Sequence, residues 1–222
     1  MAPYVRDFKD LQRVKPSTLF LAEGEAEVGL LECILKIENA DPEDCVVVCF
    51  RGVSRLASQA KSIAKVLQVG GVLQSIRVFG PLADAETDRV SRIDAVVDAA
   101  KAFGFSKCDQ ALRAGKQHIQ DDGRAFTYFL SPELGKDGAI EDVIIKEILA
   151  SQFASCIEGL EDCLTSRSFA KLEKKAIVQI YIALVKNSGL CGIYNGFHAG
   201  ALNVTSPAYD DIRDFVIKTL TI

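Results

Sequence analysis

The run "CVVVCF", residues 45–50, contains six apolar residues with no polar interruption. A strand with one wet face alternates apolar and polar side chains, so a strand apolar at every position must be covered on both faces. Sheets covered on both sides are mostly parallel, and parallel neighbours need a crossover long enough to hold a helix. This one stretch therefore demands a layer of helices on each side of it.

The rest of the chain supplies them. "STLFLAEGEAEVGLLECILKIE" opens with an apolar run of strand length at 18–22, after which Val28, Leu31, Ile34 and Leu35 share one helical face. Gly52 and Ser54 then open a helix striped by Leu56, Ala60, Ile63, Ala64 and Leu67, and Gly70-Gly71 close it. "SIRVFG", 75–80, reads as a third strand, and the next helix buries Ile93, Val96, Val97, Ala100 and Phe103. "AFTYFLSPE", 125–133, is the fourth predicted strand, and "GAIEDVIIKEILASQF" a helix entered after Gly138. The alternation predicts an α/β fold with a mostly parallel sheet and right-handed crossovers.

From residue 151 the pattern turns helical. Phe169, Leu172, Ala176, Ile177, Ile180 and Leu184 keep a helical period, and Pro207 is placed to start the last helix. "NSGLCGIYNGFHAGALNVTSP", 187–207, is rich in Gly and Asn and reads as loop. The expected organisation is an α/β domain over 1–150 and a helical C-terminal extension over 151–222 packed on the same sheet.

Composition narrows the function classes. The net charge is −4 and no basic stripe is visible, which argues weakly against a dedicated nucleic-acid binder. No apolar run approaches the roughly 18 residues of a membrane span, and the N-terminus lacks a signal-peptide core, so a cytoplasmic protein with no membrane partner is expected. Seven cysteines without a CxxC pair read as reduced and mostly buried. The two histidines have no ligand-like spacing to any cysteine, which disfavours zinc.

The acids are where chemistry gathers. Glu23 ends the first apolar run directly before Gly24, an awkward place for a carboxylate without a partner. "DAETD", 84–88, follows the third strand. In open parallel sheets, ligand sites form at the carboxyl ends of strands where the strand order reverses. If the first and third strands are neighbours, Glu23, Asp84 and Glu86 converge. Carboxylates within about 4–6 Å raise each other's pKa unless a cation lies between them, and hard oxygen ligands select Mg²⁺ or Mn²⁺. Asp88 is also placed to cap the helix that follows, and Glu141-Asp142 to complement another helix start. Arg51 and Arg55 flank the turn "RGVSR", where Ser54 and backbone N–H groups would hold a phosphate.

A strand ending in Glu-Gly ("LFLAEGEAEV"), a second strand with a Gly turn ("VVVCFRGVS") and an acid pair after a third strand resemble the Toprim domain. That Rossmann-like domain is shared by topoisomerases, primases and nucleases of the OLD (overcoming lysogenization defect) type. Its signature is a Glu after the first strand, matched by Glu23, and an Asp-x-Asp, matched by Asp84-Ala85-Glu86 with Glu in the second place. The chain also resembles small stand-alone Toprim-like proteins, which carry "Asp-Ala-Asp-Thr-Asp" where it has "DAETD" and a late "Gly-x-x-Glu-Asp", here Gly138, Glu141 and Asp142. The resemblance covers about residues 17–150.

It implies a Mg²⁺- or Mn²⁺-dependent protein acting on phosphodiesters of DNA or RNA as a nuclease. Glu23, Asp84 and Glu86 would be catalytic ligands, Asp88 and Glu141 would hold a second metal or lie in the outer shell, and Arg51 would position phosphate. It leaves a second reading open: a metal-binding regulatory module, weakly catalytic or inactive, that works with a partner ATPase or as a homo-oligomer.

Overall fold

The computed structural model describes residues 4–6, 10–52, 55–133, 135–167, 170–186 and 192–222. Six strands form one sheet: β1 (Thr18–Ala22), β2 (Cys45–Cys49), β3 (Val78–Asp84), β4 (His118–Ile119), β5 (Ala125–Phe126) and β6 (Phe129–Ser131). Their order is β2-β1-β3-β5-β4, with β6 beside β3. All pairings are parallel except β4 with β5, so the sheet is mixed but mostly parallel, as the sequence predicts.

The third strand begins and ends later than 75–80, because Gly80-Pro81 reads as a stop and is not one. A central strand excludes proline where its missing N–H would face a neighbour. On β3, Leu82 accepts from Glu23 N–H on the β1 side, while Phe79 accepts from Thr127 N–H on the other. By alternation Pro81 faces the same side as Phe79, opposite the break between β5 and β6, where no ladder bond is needed. The same break splits the predicted 125–133 strand in two. The strand consequently runs on to Asp84.

Helices cover both faces. Before the sheet comes a short turn, α1 (Leu11–Val14). Leu56, Ala60, Ile63 and Leu67 of α3 (Leu56–Val69) join Val96, Val97 and Ala100 of α4 (Arg89–Ala102) and Leu112 of α5 (Asp109–Arg113) on one face. There they surround Phe79, whose ring lies 4.3 Å from Phe103 and 5.6 Å from Phe105.

The other face carries α2 (Glu25–Ile37), α6 (Ile140–Leu149), α8 (Lys174–Lys186), α9 (Ile193–His198) and α10 (Asp210–Leu220). Leu31, Ile144, Val178, Ile182, Phe197 and Phe215 from these helices share one core with Phe20, Val47 and Leu82 of the sheet. α10 packs against β3, while α8 joins the same core through α6 and α9 through α2. α7 (Ala154–Ser166) is an exception and buries only Ile157.

Within the predicted loop 187–207, residues 193–198 form α9 instead. Ile193 and Phe197, four residues apart, are both buried on it, so local Gly and Asn content is overridden by packing. α9 can lie against α2 because Gly29 is there: a Cβ on Gly29 would stand 3.1 Å from Tyr194 Cα. Residues 187–191, and Phe169 of the helical stripe, lie outside the described residues. Pro207 opens a single 3₁₀ turn that leads directly into α10, as expected. Among the described residues no helix is long and apolar enough to cross a membrane.

Candidate functional site

β1 has β2 on one flank and β3 on the other, so the chain leaves the centre of the sheet in two directions. Crevices open at such a reversal, at the carboxyl ends of the strands. Glu23 stands immediately after β1 and Asp84 is the last residue of β3. Glu23 Oε2 accepts the Asp84 backbone N–H at 2.9 Å, joining positions 61 residues apart. Asp84 Oδ1 in turn accepts the N–H of Ile140 at 2.7 Å and so pins the start of α6 to the sheet.

Two helix starts are built alike here. Glu27, third residue of α2, returns its Oε2 to the Gly24 N–H at 2.9 Å, and Asp142, third residue of α6, returns Oδ2 to the Ala139 N–H at 3.0 Å. Each is half of a capping box. Capping fixes the first turns, so the remaining acid of α6's first turn, Glu141, is held beside Asp84. Gly138 makes the entry to α6 with φ 139°, and a Cβ there would come within 2.7 Å of Asp142 Oδ2.

These pieces line a half-open cavity of about 430 Å³. Glu23 and Asp84 line it from the strand ends and Glu27 from α2; Glu141 contributes from α6, Lys175 and Gln179 from α8, and Ile193 and Tyr194 from α9. Burial pushes Asp84 up to about 9, reinforced by the negative charges of Glu27, Glu23 and Glu141. Glu27 is pushed up to about 7, again chiefly by burial, with Glu23 and Glu141 adding to it against backbone hydrogen bonds that pull it down. Asp84 and Glu27 therefore hold protons where isolated carboxylates would be ionised.

The α9 wall is tied down by a separate buried carboxylate. Tyr194 donates its hydroxyl to Glu32 Oε2 at 3.1 Å, and His198 Nε2 lies 3.1 Å from the same oxygen. Burial and the Glu32 charge push the Tyr194 phenol up to about 12, so it stays a donor.

Residues 17–221 match a protein family of unknown function, DUF3226. The chain belongs to that family. The match runs from the residue before β1 to the residue after α10, so the α8 and α9 walls of the cavity lie inside the DUF3226 unit. Comparison with curated proteins and with solved structures gives no match.

Of the residues singled out in this DUF3226 sequence, Glu23, Asp84 and Glu141 come together at the cavity. Glu86 and Asp88 stay outside it. Ala85 is buried, and the chain then turns through a left-handed Glu86 (φ 55°) whose N–H and C=O both pair with Gly138, at 2.7 and 2.8 Å, leaving its side chain in solvent. Asp88 caps α4 by accepting the Ser91 N–H at 3.0 Å. Arg51 and Arg55 are exposed and do not line the cavity, although the Gly52 N–H between them donates to the Glu23 carbonyl at 3.0 Å. Ser54 lies outside the described residues.

Glu27, Gln179 and Tyr194 were not legible as site residues, and Lys175, on a periodic helix, reads in sequence as a solvated lysine. Glu27 gave a faint signal, an acid three residues after the Gly24 cap, which points to capping before anything else. Among the described residues no three acid, histidine or cysteine side chains converge tightly enough to ligate an ion as they stand. A metal centre here would require the carboxylates to rotate inward.

Proposed function

We propose that this chain is a Toprim-like protein that acts on nucleic-acid phosphodiesters with Mg²⁺ or Mn²⁺, as a nuclease. The observation that carries this reading is the junction at the strand ends: Glu23 bound to the Asp84 backbone, with Glu27 and Glu141 raising the pKa of Asp84. The donor set suits a hard divalent cation, since it is all carboxylate and its mutual repulsion is relieved by positive charge. Glu23 and Asp84 would be the principal ligands, with Glu27 and Glu141 taking the supporting places first assigned to Glu86 and Asp88.

A divalent ion held there would polarise a phosphoryl oxygen and lower the pKa of a water beside it. The chain's own contribution is orientation. Backbone N–H groups at Gly24 and Ile140 each fix one oxygen of Glu27 and Asp84, as outer hydrogen bonds do for ligating carboxylates generally. The proton held by Asp84 must leave as the ion enters. Lys175, across the cavity from the sheet, is placed to meet an incoming anion.

Melting with and without Mn²⁺ tests the site. Tm should rise with Mn²⁺ in the parent and stay constant in Glu23→Gln and Asp84→Asn; an equal rise in all three would remove the metal from these residues. Incubating the Mn²⁺-loaded protein with single- and double-stranded DNA and RNA then tests catalysis. A metal-dependent Tm rise without cleavage of any of the four would leave a binding module and sink the nuclease.

A further inference from the structure

β2 ends the sheet order, so its flank away from β1 is a strand edge of the kind that pairs with other chains. Residues 4–6 lie along it. Val5 pairs with Val47 in parallel, the Val47 N–H donates to the Tyr4 carbonyl at 2.9 Å, and the Arg6 N–H donates to the Val47 carbonyl at 3.1 Å. The segment precedes residues 17–221, the span that the family model matches. Two side chains anchor it, one on each face of the sheet. Tyr4 is buried in the core shared with α2 and donates its hydroxyl to the carbonyls of Ala40 at 2.8 Å and Leu35 at 3.3 Å. Leu11, on α1, is buried in the opposite core, with α3 and α4. The chain therefore passes around the β2 edge as a strap fastened at both ends.

The hinge that folds the strap back is Lys15-Pro16. Immediately after it, the Ser17 and Thr18 N–H groups both donate to the Asp44 carbonyl at 3.0 Å, which fixes the chain beside the start of β2. Before that anchor Lys15 takes φ 53° and ψ 54°, with its N–H on the Leu11 carbonyl at 2.9 Å. A left-handed conformation is costly for a residue with a Cβ, and a residue before proline prefers extended backbone. Short hinges under strain favour exchange of the hinged segment with a second copy, because the same contacts form in trans while the hinge relaxes.

We propose that residues 4–14 are an exchangeable strap: the β2 edge takes up this segment from a second copy of the chain, giving a two-fold dimer. Each copy's Tyr4 and Leu11 then fill the other's two cores, and Lys15 becomes extended. In the closed monomer the strap is held beside its own edge at an effective concentration on the order of millimolar, which opposes exchange. Hinge strain acts the other way, by about tenfold for each hinge that relaxes.

Opposite substitutions at Lys15, which is exposed, test this in the full chain by size-exclusion chromatography with light scattering. Lys15→Gly accepts the left-handed turn and keeps the strap closed. Lys15→Pro forbids positive φ and removes the N–H that closes the turn, so it opens the strap. At equal concentration, Lys15→Pro should weigh twice as much as Lys15→Gly. The parent should pass from the lighter form to the heavier as its concentration rises to about a millimolar. A free peptide of residues 1–14, added in excess, should occupy the β2 edges and return Lys15→Pro to the lighter mass. The same peptide carrying Tyr4→Ala should need at least about tenfold more to do so, because it lacks the buried ring. Equal masses for the two hinge variants overturn the proposal. So does a heavier Lys15→Pro form that the intact peptide leaves unchanged, since its two copies would be joined elsewhere.

Discussion

The two ends of α6 hold carboxylates in opposite ways. Glu147, near the end of α6, is 7% exposed and fully satisfied: Tyr209 donates its hydroxyl to Oε2 at 2.6 Å and Asn203 its N–H to Oε1 at 2.8 Å. Burial raises its pKa and those hydrogen bonds oppose the rise. At the start of the same helix, burial together with the charges of Glu23 and Glu141 raises Asp84 and Glu27, and Glu27 raises Asp84 further. The first arrangement fastens the C-terminal segment to α6. The second is a concentration of acids that the fold holds together at a loss of stability.

The sharpest contrast comes from removing Glu147. Glu147→Ala leaves the buried Tyr209 hydroxyl and the Asn203 N–H without an acceptor, each worth about 1–3 kcal/mol. A total loss of about 3 kcal/mol, roughly 6–12 °C in Tm for a chain of this length, is expected in urea and thermal melts. The Mn²⁺ response should survive. A loss under about 1 kcal/mol would mean that the pair of hydrogen bonds is not a fastener, and the two regions would no longer differ in kind.

Asp84→Asn should move stability the other way. Asp84 has a folded pKa near 9 against an ordinary 3.8, so the folded state binds the extra proton. Its contribution is fully present below about pH 4 and is lost as pH rises toward 9. The metal-free parent should therefore melt progressively lower from pH 5 to pH 9. Asn keeps an oxygen for the Ile140 N–H and has no proton to lose, so its profile should be flatter. At pH 8–9 it should melt about 2–5 °C above the parent, given roughly 2–4 °C per kcal/mol. If Asp84→Asn melts lower at every pH, the acids are not in tension.

The half of the site that lies on the sheet was legible, because strand ends and crossovers obey rules that apolar runs reveal. Glu23 and Asp84 were singled out as strand-end acids on the condition that β1 and β3 be neighbours; the sequence, with α2, β2 and α3 between those strands, does not decide that pairing, and the sheet supplies it. The α8 and α9 walls were not legible. Lys175 is a lysine on an amphipathic helix until the packing of Ile177, Val178 and Ile182 decides which way that helix faces. Tyr194 lies in a Gly- and Asn-rich stretch where a six-residue helix exists only because Ile193 and Phe197 find the core. Glu86 misled for a local reason: alternation after a strand assumes extended backbone, and at Glu86 the chain turns left-handed.

The finest discrimination concerns the two acids that the turn excludes. Asp88→Ala removes the α4 cap and should cost about 1 kcal/mol, while Glu86→Gln, exposed and paired only through its backbone, should stay within about 0.5 kcal/mol. Neither should alter the Mn²⁺-dependent rise in Tm, and Glu27→Gln should reduce it. Glu86 and Glu27 thus exchange the roles that spacing alone would give them. Should Glu86→Gln abolish the rise instead, the Glu86–Gly138 pairing must open when metal binds, because in the present turn the Glu86 carboxylate points to solvent and only an unwound 84–88 segment would bring it to Asp84.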